Sequence, residues 1–367
     1  MNKKVTIYGQ HLIDPAAISQ LYDCMKHPDI VQGALMPDAH LGYSLPIGGV
    51  VTSKGVIFPS FVGYDIGCGM CAINVNNVSV NQITDHWEEI IDLVTEYIPV
   101  GFNHHNTPLT ILQPNITGAA WDIYQSKNGD CQLGSLGGGN HFIEIGFNEN
   151  GKVFITIHSG SRGVGHGIGE YYMKIAAGTD KASEGNYGLD VNSEEGKNYI
   201  RDMNFCLEYA LRNRILMIES VVKAIQNSTG YGSPDYSGMI NRNHNHATYR
   251  DGLWIHRKGA THAEKDMLGV IPGNCSDGVF IVRGKGNPDS MYSSSHGAGR
   301  LLGRNQAKKT LDFETYQKKM DGIKCRISMN TLDESPDAYK NIFDVMEAQK
   351  DLVDIIDHVK PLISIKG

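Results

Sequence analysis

The chain has 367 residues, 41% of them hydrophobic, which fits two to three domain lengths of about 150 residues or one large domain with a substantial core. Lys+Arg number 33 against Asp+Glu 40, a formal net charge of -7, which argues against a protein that coats nucleic acid by bulk electrostatics. No stretch nears the roughly 18 uninterrupted apolar residues of a membrane span, MNKKVTIYGQ lacks the apolar segment of a secretory signal, and seven scattered cysteines do not suit a disulfide framework, so the expectation is a cytoplasmic protein with reduced thiols.

Up to about residue 80, short apolar runs alternate with Gly, Pro and Asp, and 48–52, 56–58 and 71–75 are strand-length and bounded by turn residues. Functional side chains are expected at the ends of these strands. Trp87, Ile90, Ile91, Val94 and Ile98 then recur at helical spacing until Pro99 stops the pattern. Strands are expected at 142–145 and 153–158, entered from the glycine-rich GSLGGGNH. Between about 170 and 228 the pattern is helical, strongest in FCLEYALRNRILMIESVVKAIQ. Strands return over 252–283, and 338–359 is expected to be a last amphipathic helix on Ile342, Val345, Met346, Leu352, Val353 and Ile356. No low-complexity linker and no internal repeat is visible. Sheet and helix segments come in blocks, so the expected class is α+β: one compact domain, residues 1–367, with mixed β-sheets flanked by helices.

His, Asp, Cys and Asn concentrate in four glycine-rich patches. In YDIGCGMC, Asp65 and Cys68 stand three apart on a glycine-flanked turn, where two ligands can face one ion. In GSLGGGNHFIE, Asn140, His141 and Glu144 follow three glycines, where a backbone without Cβ atoms lets a ligand approach closely. ITIHSGSRGVGH places His158 at a strand end and Arg162 four residues on, while NRNHNHA supplies His244 and His246. Cys68 and Cys71 form a CxxC, which raises zinc or thiol redox chemistry, but no second CxxC exists and a closed tetrahedral site needs four ligands. The mixed set Asp65, Cys68, His141, His158 and His244 fits a catalytic first-row metal such as manganese, zinc or iron better than magnesium or calcium. The plainer alternative is that each histidine satisfies a hydrogen bond in a polar core. In the fourth patch, 271–300, Gly297 and Gly299 flank His296 closely enough for a phosphate to lie against the backbone, and Arg300 follows as a bidentate phosphate donor. A solvated hairpin turn would also account for this patch, because no GxxxxGKS motif is present.

Together the patches resemble the RtcB family of GTP-dependent RNA-splicing ligases over nearly the whole chain. The motifs that carry the resemblance are MPDAHLGYSLPIGG, VGYDIGCGM, GGGNHFIE, IHSGSRG, His244-Asn245, IPGN followed by VRGKGNP, SSSHGAGR, and DESPDAYK through KPLISIKG. The resemblance implies that Asp65, Cys68, His141, His158 and His244 bind two manganese ions, with Cys68 bridging them. It implies that His296 attacks the α-phosphate of GTP and holds GMP as a phosphoramidate, aided by Asn140, Glu144 and Arg162, the last at a substrate phosphate. Nucleotide contacts are implied from Asn140, His141, Phe142, Ile143, Glu144, His244, Asn245, Pro272, Gly273, Asn274, Cys275, His296, Gly297, Ala298, Gly299 and Lys366. The implied route joins an RNA 3′-phosphate or 2′,3′-cyclic phosphate to a 5′-hydroxyl in RNA repair or tRNA splicing, with an archease-like activator as a further partner. The chain departs from the family where IPGSMGT is often read, with Asn274 in place of a serine and Val279 removing a hydroxyl.

Two other readings compete. A metal-dependent phosphoesterase would use the same ions to activate water, with His296 as general acid or phosphate ligand. A nucleotide- or RNA-binding module would need the phosphate site and no nucleophile. The average charge also hides a local one, because residues 242–309 carry 11 Lys+Arg against 5 Asp+Glu. RNA is therefore expected to be gripped at a focused site through few phosphate contacts.

Overall fold

The computed structural model describes residues 3–181 and 185–367. Among them, one sheet has the strand order Lys4–Ile7, Ile30–His40, Ile47–Ser53, Leu253–Lys258, Asn245–Arg250. A second runs Ile240–Asn243, Gly69–Asn76, Val153–Ser159, Phe142–Phe147, Val353–Lys366, Val279–Gly284, Leu268–Pro272, with Ser233–Pro234 and Lys324–Cys325 pairing at its flanks. Strands far apart in sequence lie side by side, and the class is α+β as expected. No helix among the described residues is long and apolar enough to cross a membrane.

Strand alternation decides what the second sheet buries. Cys71, Ile73, Val75, Ile143, Ile145, Ile155 and Ile157 point one way, onto Ile90, Ile91 and Val94 of helix Trp87–Tyr97 and Met217, Ile218, Val221 and Val222 of helix Glu194–Thr229. Met70, Ala72 and Phe142 point the other way and pack with Val270, Val279, Ile281 and Val359. Directly paired residues of antiparallel strands share a face. Met70 and Phe142 both pair with His158, Phe142 pairs with Lys366, and Glu144 pairs with Thr156 and Ser364. Polar side chains therefore gather on the face turned away from the helices.

The helical region expected over 170–228 is two helices. Arg162–Ala177 ends at the left-handed Gly178, and Glu194–Thr229 starts where the Ser193 side chain accepts from the Gly196 N–H. Residues 182–184 of that expectation lie outside the described residues.

The helix expected over 338–359 is corrected. Only Ile342–Ala348 is helical, with Ile342, Val345 and Met346 as its buried stripe, while Val353–Lys366 is a strand and Ile356 is exposed. Spacing alone favoured one long helix, but VDIIDHVKPLISIK is rich in β-branched residues and finds partners on both edges, Val279–Gly284 and Phe142–Phe147.

The long helix also holds three turns together. The fully buried Arg214 donates to Gly67 O at 3.0 Å, Ser159 O at 2.7 Å, Asn241 Oδ1 at 2.9 Å and Asn243 Oδ1 at 2.8 Å. Its neighbour Asn213 accepts from the Gly134 and Ser135 N–H groups and donates to Gly160 O. Arg214→Met would keep the bulk and strip four acceptors, two of them on buried residues, of their donor. A fall in thermal midpoint of roughly 5 °C or more is expected, read by circular dichroism, with Arg214→Lys in between. An unchanged midpoint in the Met variant would remove these bonds from the account.

Candidate active site

Asp65 and Cys68 sit in the turn between helix Pro59–Val62 and strand Gly69–Asn76. His158 is the penultimate residue of strand Val153–Ser159, His141 directly precedes Phe142–Phe147, and His244 lies where the chain passes from Ile240–Asn243 in one sheet to Asn245–Arg250 in the other. The Cys68 Sγ is 3.3 Å from His141 Nε2 and 3.3 Å from His158 Nε2. His158 Nε2 is 3.3 Å from His244 Nε2, and His141 Nε2 is 3.1 Å from Asp65 Oδ2. The close approach requires a glycine at 160, where an added Cβ would fall 2.2 Å from Asp65 Oδ1.

These atoms fit a cation. The Cys68 Sγ and the His141 and His158 ring nitrogens lie within 4.8 Å of one another with His244 next to His158, and Asn140 O at 3.1 Å from His158 Nδ1 takes the ring proton there, leaving Nε2 with its lone pair toward the cluster. Burial holds His158 and His244 well below the usual histidine range, aided by their mutual repulsion with neighbouring histidines, so both are neutral ligands. Burial, then the nearby Asp65, pushes the Cys68 thiol well up, a penalty that a bound divalent ion reverses. The mixed carboxylate, thiolate and imidazole set suits a first-row metal. Cys71 takes no part, since it points to the helix-packed face with Ile73 and Ile143. His246 is also elsewhere, its Nε2 2.8 Å from His262 Nε2.

His296 follows strand Ser293–Ser295, and its Nδ1 lies 2.7 Å from Asp38 Oδ2, which also accepts from the His296 N–H at 3.1 Å. Burial alone would raise the Asp38 carboxyl, but His296, Lys340 and His40 hold it below the usual range. The ionised Asp38 fixes the proton on Nδ1 and leaves the lone pair on Nε2. Gly299, at φ +76, lets the loop rest on Asp38, since a Cβ there would fall 2.1 Å from Asp38 O. The His296 and His244 ring centroids are 4.8 Å apart, which brings the candidate metal cluster against His296. Asp38 was not singled out from the sequence, although it stands inside MPDAHLGYSLPIGG.

Two cavities meet at His296. The smaller, about 280 Å³, is lined by Asn140, Phe142, Glu144, Pro272, Gly273, Asn274, Cys275, Gly297, Ala298, Gly299 and Lys366. The larger, about 1000 Å³, borders Asp65, Cys68, Asn140, His244 and Asn245. Ile143, expected at the nucleotide, lines neither, because strand alternation turns it into the helix-packed core. Val279 likewise packs under Phe142 within the sheet. Asn245 braces the turn, donating to Asp65 O at 3.2 Å and accepting from the Gly259 N–H at 3.0 Å.

Arg300 is a correction. Its guanidinium donates to Leu302 O, Glu334 Oε1, Tyr339 Oη and Asp333 O, so it builds the wall and is not presented as a phosphate fork. Arg162, at φ +57, donates to Ser135 Oγ at 3.0 Å and Gly101 O at 2.6 Å and lines neither cavity. Glu334, also missed from the sequence, accepts from Arg300, Arg304, Tyr339 and Lys366. Glu144 is buried in the smaller cavity with Oε1 unbonded to any described residue, and burial pushes its carboxyl up to about 8 against the opposing pull of Lys366.

Comparison with known proteins bears on this arrangement. A family model described as tRNA-splicing ligase RtcB matches residues 20–125 and 117–367. The chain is 33% identical to the RNA-splicing ligase RtcB of Escherichia coli K12 over 389 residues, covering 97% of this chain and 95% of that protein. It is 29% identical over 395 residues to the tRNA-splicing ligase RtcB of Aeropyrum pernix, covering 84% and 82%. With nearly the whole length matched by the family model and by a relative above 30% identity, the chain belongs to the RtcB family of RNA ligases.

Proposed function

We propose that the chain is a GTP- and manganese-dependent ligase of the cytoplasm that joins RNA 3′-phosphate or 2′,3′-cyclic phosphate ends to 5′-hydroxyl ends through a covalent His296–GMP, in RNA repair or tRNA splicing. The observation that carries the reading is the Asp38 bond to His296 Nδ1, which aims a lone pair from Nε2 into the junction of two cavities. Nε2 attacks the α-phosphorus of GTP held in the smaller cavity, an N–P bond forms, and pyrophosphate leaves. Asp38 balances the positive charge that develops on the ring. An oxygen of the RNA 3′-phosphate next attacks the same phosphorus and frees His296. The 5′-hydroxyl then attacks the activated 3′-phosphate, loses its proton and expels GMP, while a cyclic end is first opened by water. Asp65, Cys68, His141, His158 and His244 would hold two manganese ions, which would neutralise phosphate charge. Arg162, within electrostatic reach of Asp65, is the proposed holder of a substrate phosphate, which its guanidinium would meet on leaving Gly101 O.

Glu144 is the proposed reader of the base. A carboxylate offers two acceptors side by side, which match the adjacent N1–H and N2–H donors of guanine, whereas the corresponding edge of adenine presents a donor and an acceptor. Lys366 Nζ, 5.1 Å from the Phe142 ring centroid, and the loop of Gly297, Ala298 and Gly299 supply charge and backbone for the phosphates.

Incubation with manganese and GTP labelled at the α-phosphate should leave acid-labile label on the denatured protein, lost in His296→Ala. No label at full metal occupancy would overturn the ligase reading, and phosphate released from 3′-phosphorylated RNA without GTP would mark a phosphoesterase. Cys68→Ala should abolish metal binding and labelling together, while Cys71→Ala leaves both nearly intact; equal losses would restore the CxxC reading. Below pH 8 the empty site holds Glu144 protonated, and guanine needs the carboxylate, so GTP binding should release a proton and weaken by up to about tenfold per pH unit as pH falls. Calorimetry in buffers of different ionisation enthalpy reads the proton directly. Glu144→Gln should remove the dependence and cut the preference for GTP over ATP by roughly tenfold or more.

A further inference from the structure

We infer that the larger groove receives the unpaired end of an RNA strand and that Tyr43 is the platform on which a nucleobase of that end stacks. The inference rests on the RNA-ligase reading and extends it to the substrate. The groove holds Asp65, Cys68, His244 and His296 at one end and passes Tyr43 and Lys258 farther out, with about 1000 Å³ against 280 Å³ in the neighbouring cavity. That leaves room for nucleotides beyond the reacting phosphate.

Tyr43 is 68% exposed, yet the loop that carries it is held firmly. Gln20, from helix Pro15–Met25, accepts from the Gly42 N–H at 3.0 Å and donates to Gly42 O at 2.8 Å and Tyr43 O at 3.0 Å. A braced backbone that keeps a large ring in water gains nothing locally from the exposure, which points to a ligand. The ring meets Tyr64 edge-on at 6.2 Å and 86°, and Tyr64 stacks on His166 at 4.8 Å and 19°, so its orientation is supported from one side. Lys258 Nζ lies 5.9 Å from the Tyr43 centroid and, buried and donating to Ser60 O at 3.0 Å, backs the ring from within the wall. Leu301, 63% exposed, adds apolar surface to the same groove. Exposed rings on a groove wall are one means by which single strands are held, the bases stacking on them.

Guanylylation of the wild-type chain by GTP and manganese needs no RNA and is measured first; its absence would overturn the ligase reading rather than the stacking. Ligation and binding are then followed with oligonucleotides carrying 2-aminopurine at the terminal position of either the 3′-phosphate strand or the 5′-hydroxyl strand. Quenching of one probe by the wild type supports the platform and tells which end it holds. Tyr43→Ala should raise the KM for RNA about tenfold with a smaller change in kcat and lose the quenching, Tyr43→Leu should do the same, and Tyr43→Phe should retain both. Quenching with neither probe, or an unchanged KM in Ala and Leu variants that melt like the wild type, would overturn it.

Discussion

A guanidinium buried among neutral acceptors is costly to keep, and the metal cluster depends on one. Arg214 bonds to carbonyl and amide oxygens of the turns carrying Asp65 and Cys68, the strand carrying His158, and the strand that leads into His244. No carboxylate is among these partners, and burial lowers the guanidinium pKa against the opposing pull of Cys71, then of Cys68 and Asp65. Ligand geometry and ligand charge are thereby fixed by the same side chain. A structure that relaxed this helix would loosen three ligand-bearing segments at once.

On the other side of His296 the organising groups are carboxylates. Asp38 is sunk beneath the nucleophile and flanked by Lys340, whose Nζ is tied to Pro37 O at 3.0 Å and Ala39 O at 2.7 Å. Glu334 draws Arg300, Arg304, Tyr339 and Lys366 into one wall between the cavities. The cationic excess of residues 242–309 is thus answered in part from outside that stretch, by Asp333 and Glu334, and within it by Glu264, which faces the buried Arg257.

The residues legible in the sequence were those that advertise themselves locally. Asp65, Cys68, His141, His158, His244 and His296 sit beside or near glycines that leave room for a ligand, and the structure puts ligand atoms of Cys68, His141 and His158 within 4.8 Å of one another, with Asp65 against His141, His244 against His158 and the His296 ring next to that of His244. Asp38, Arg214 and Glu334 carry no such mark. Asp38 meets His296 across 258 residues of chain, and its importance exists only once two sheets have packed. Ile143 erred the other way, because a contiguous motif counts neighbours that a strand sends to opposite faces. The misplaced helix at 338–359 arose because spacings of three, four and seven suit a helix locally, while the choice of strand is made by partners more than 70 residues away.

Strand Val353–Lys366 lies between Phe142–Phe147 and Val279–Gly284, and through them it joins the two halves of the larger sheet. Without that strand, the half bearing Glu144 and the half leading into Pro272 have no strand pairing between them. The smaller cavity, which draws lining from both halves and from Lys366 itself, is complete only once this strand has closed the sheet. Long-range closure of this kind is slow and can reopen, so a nucleotide seated there would act as a clasp, stabilising the final pairing by mass action and making resistance to unfolding rise with nucleotide concentration.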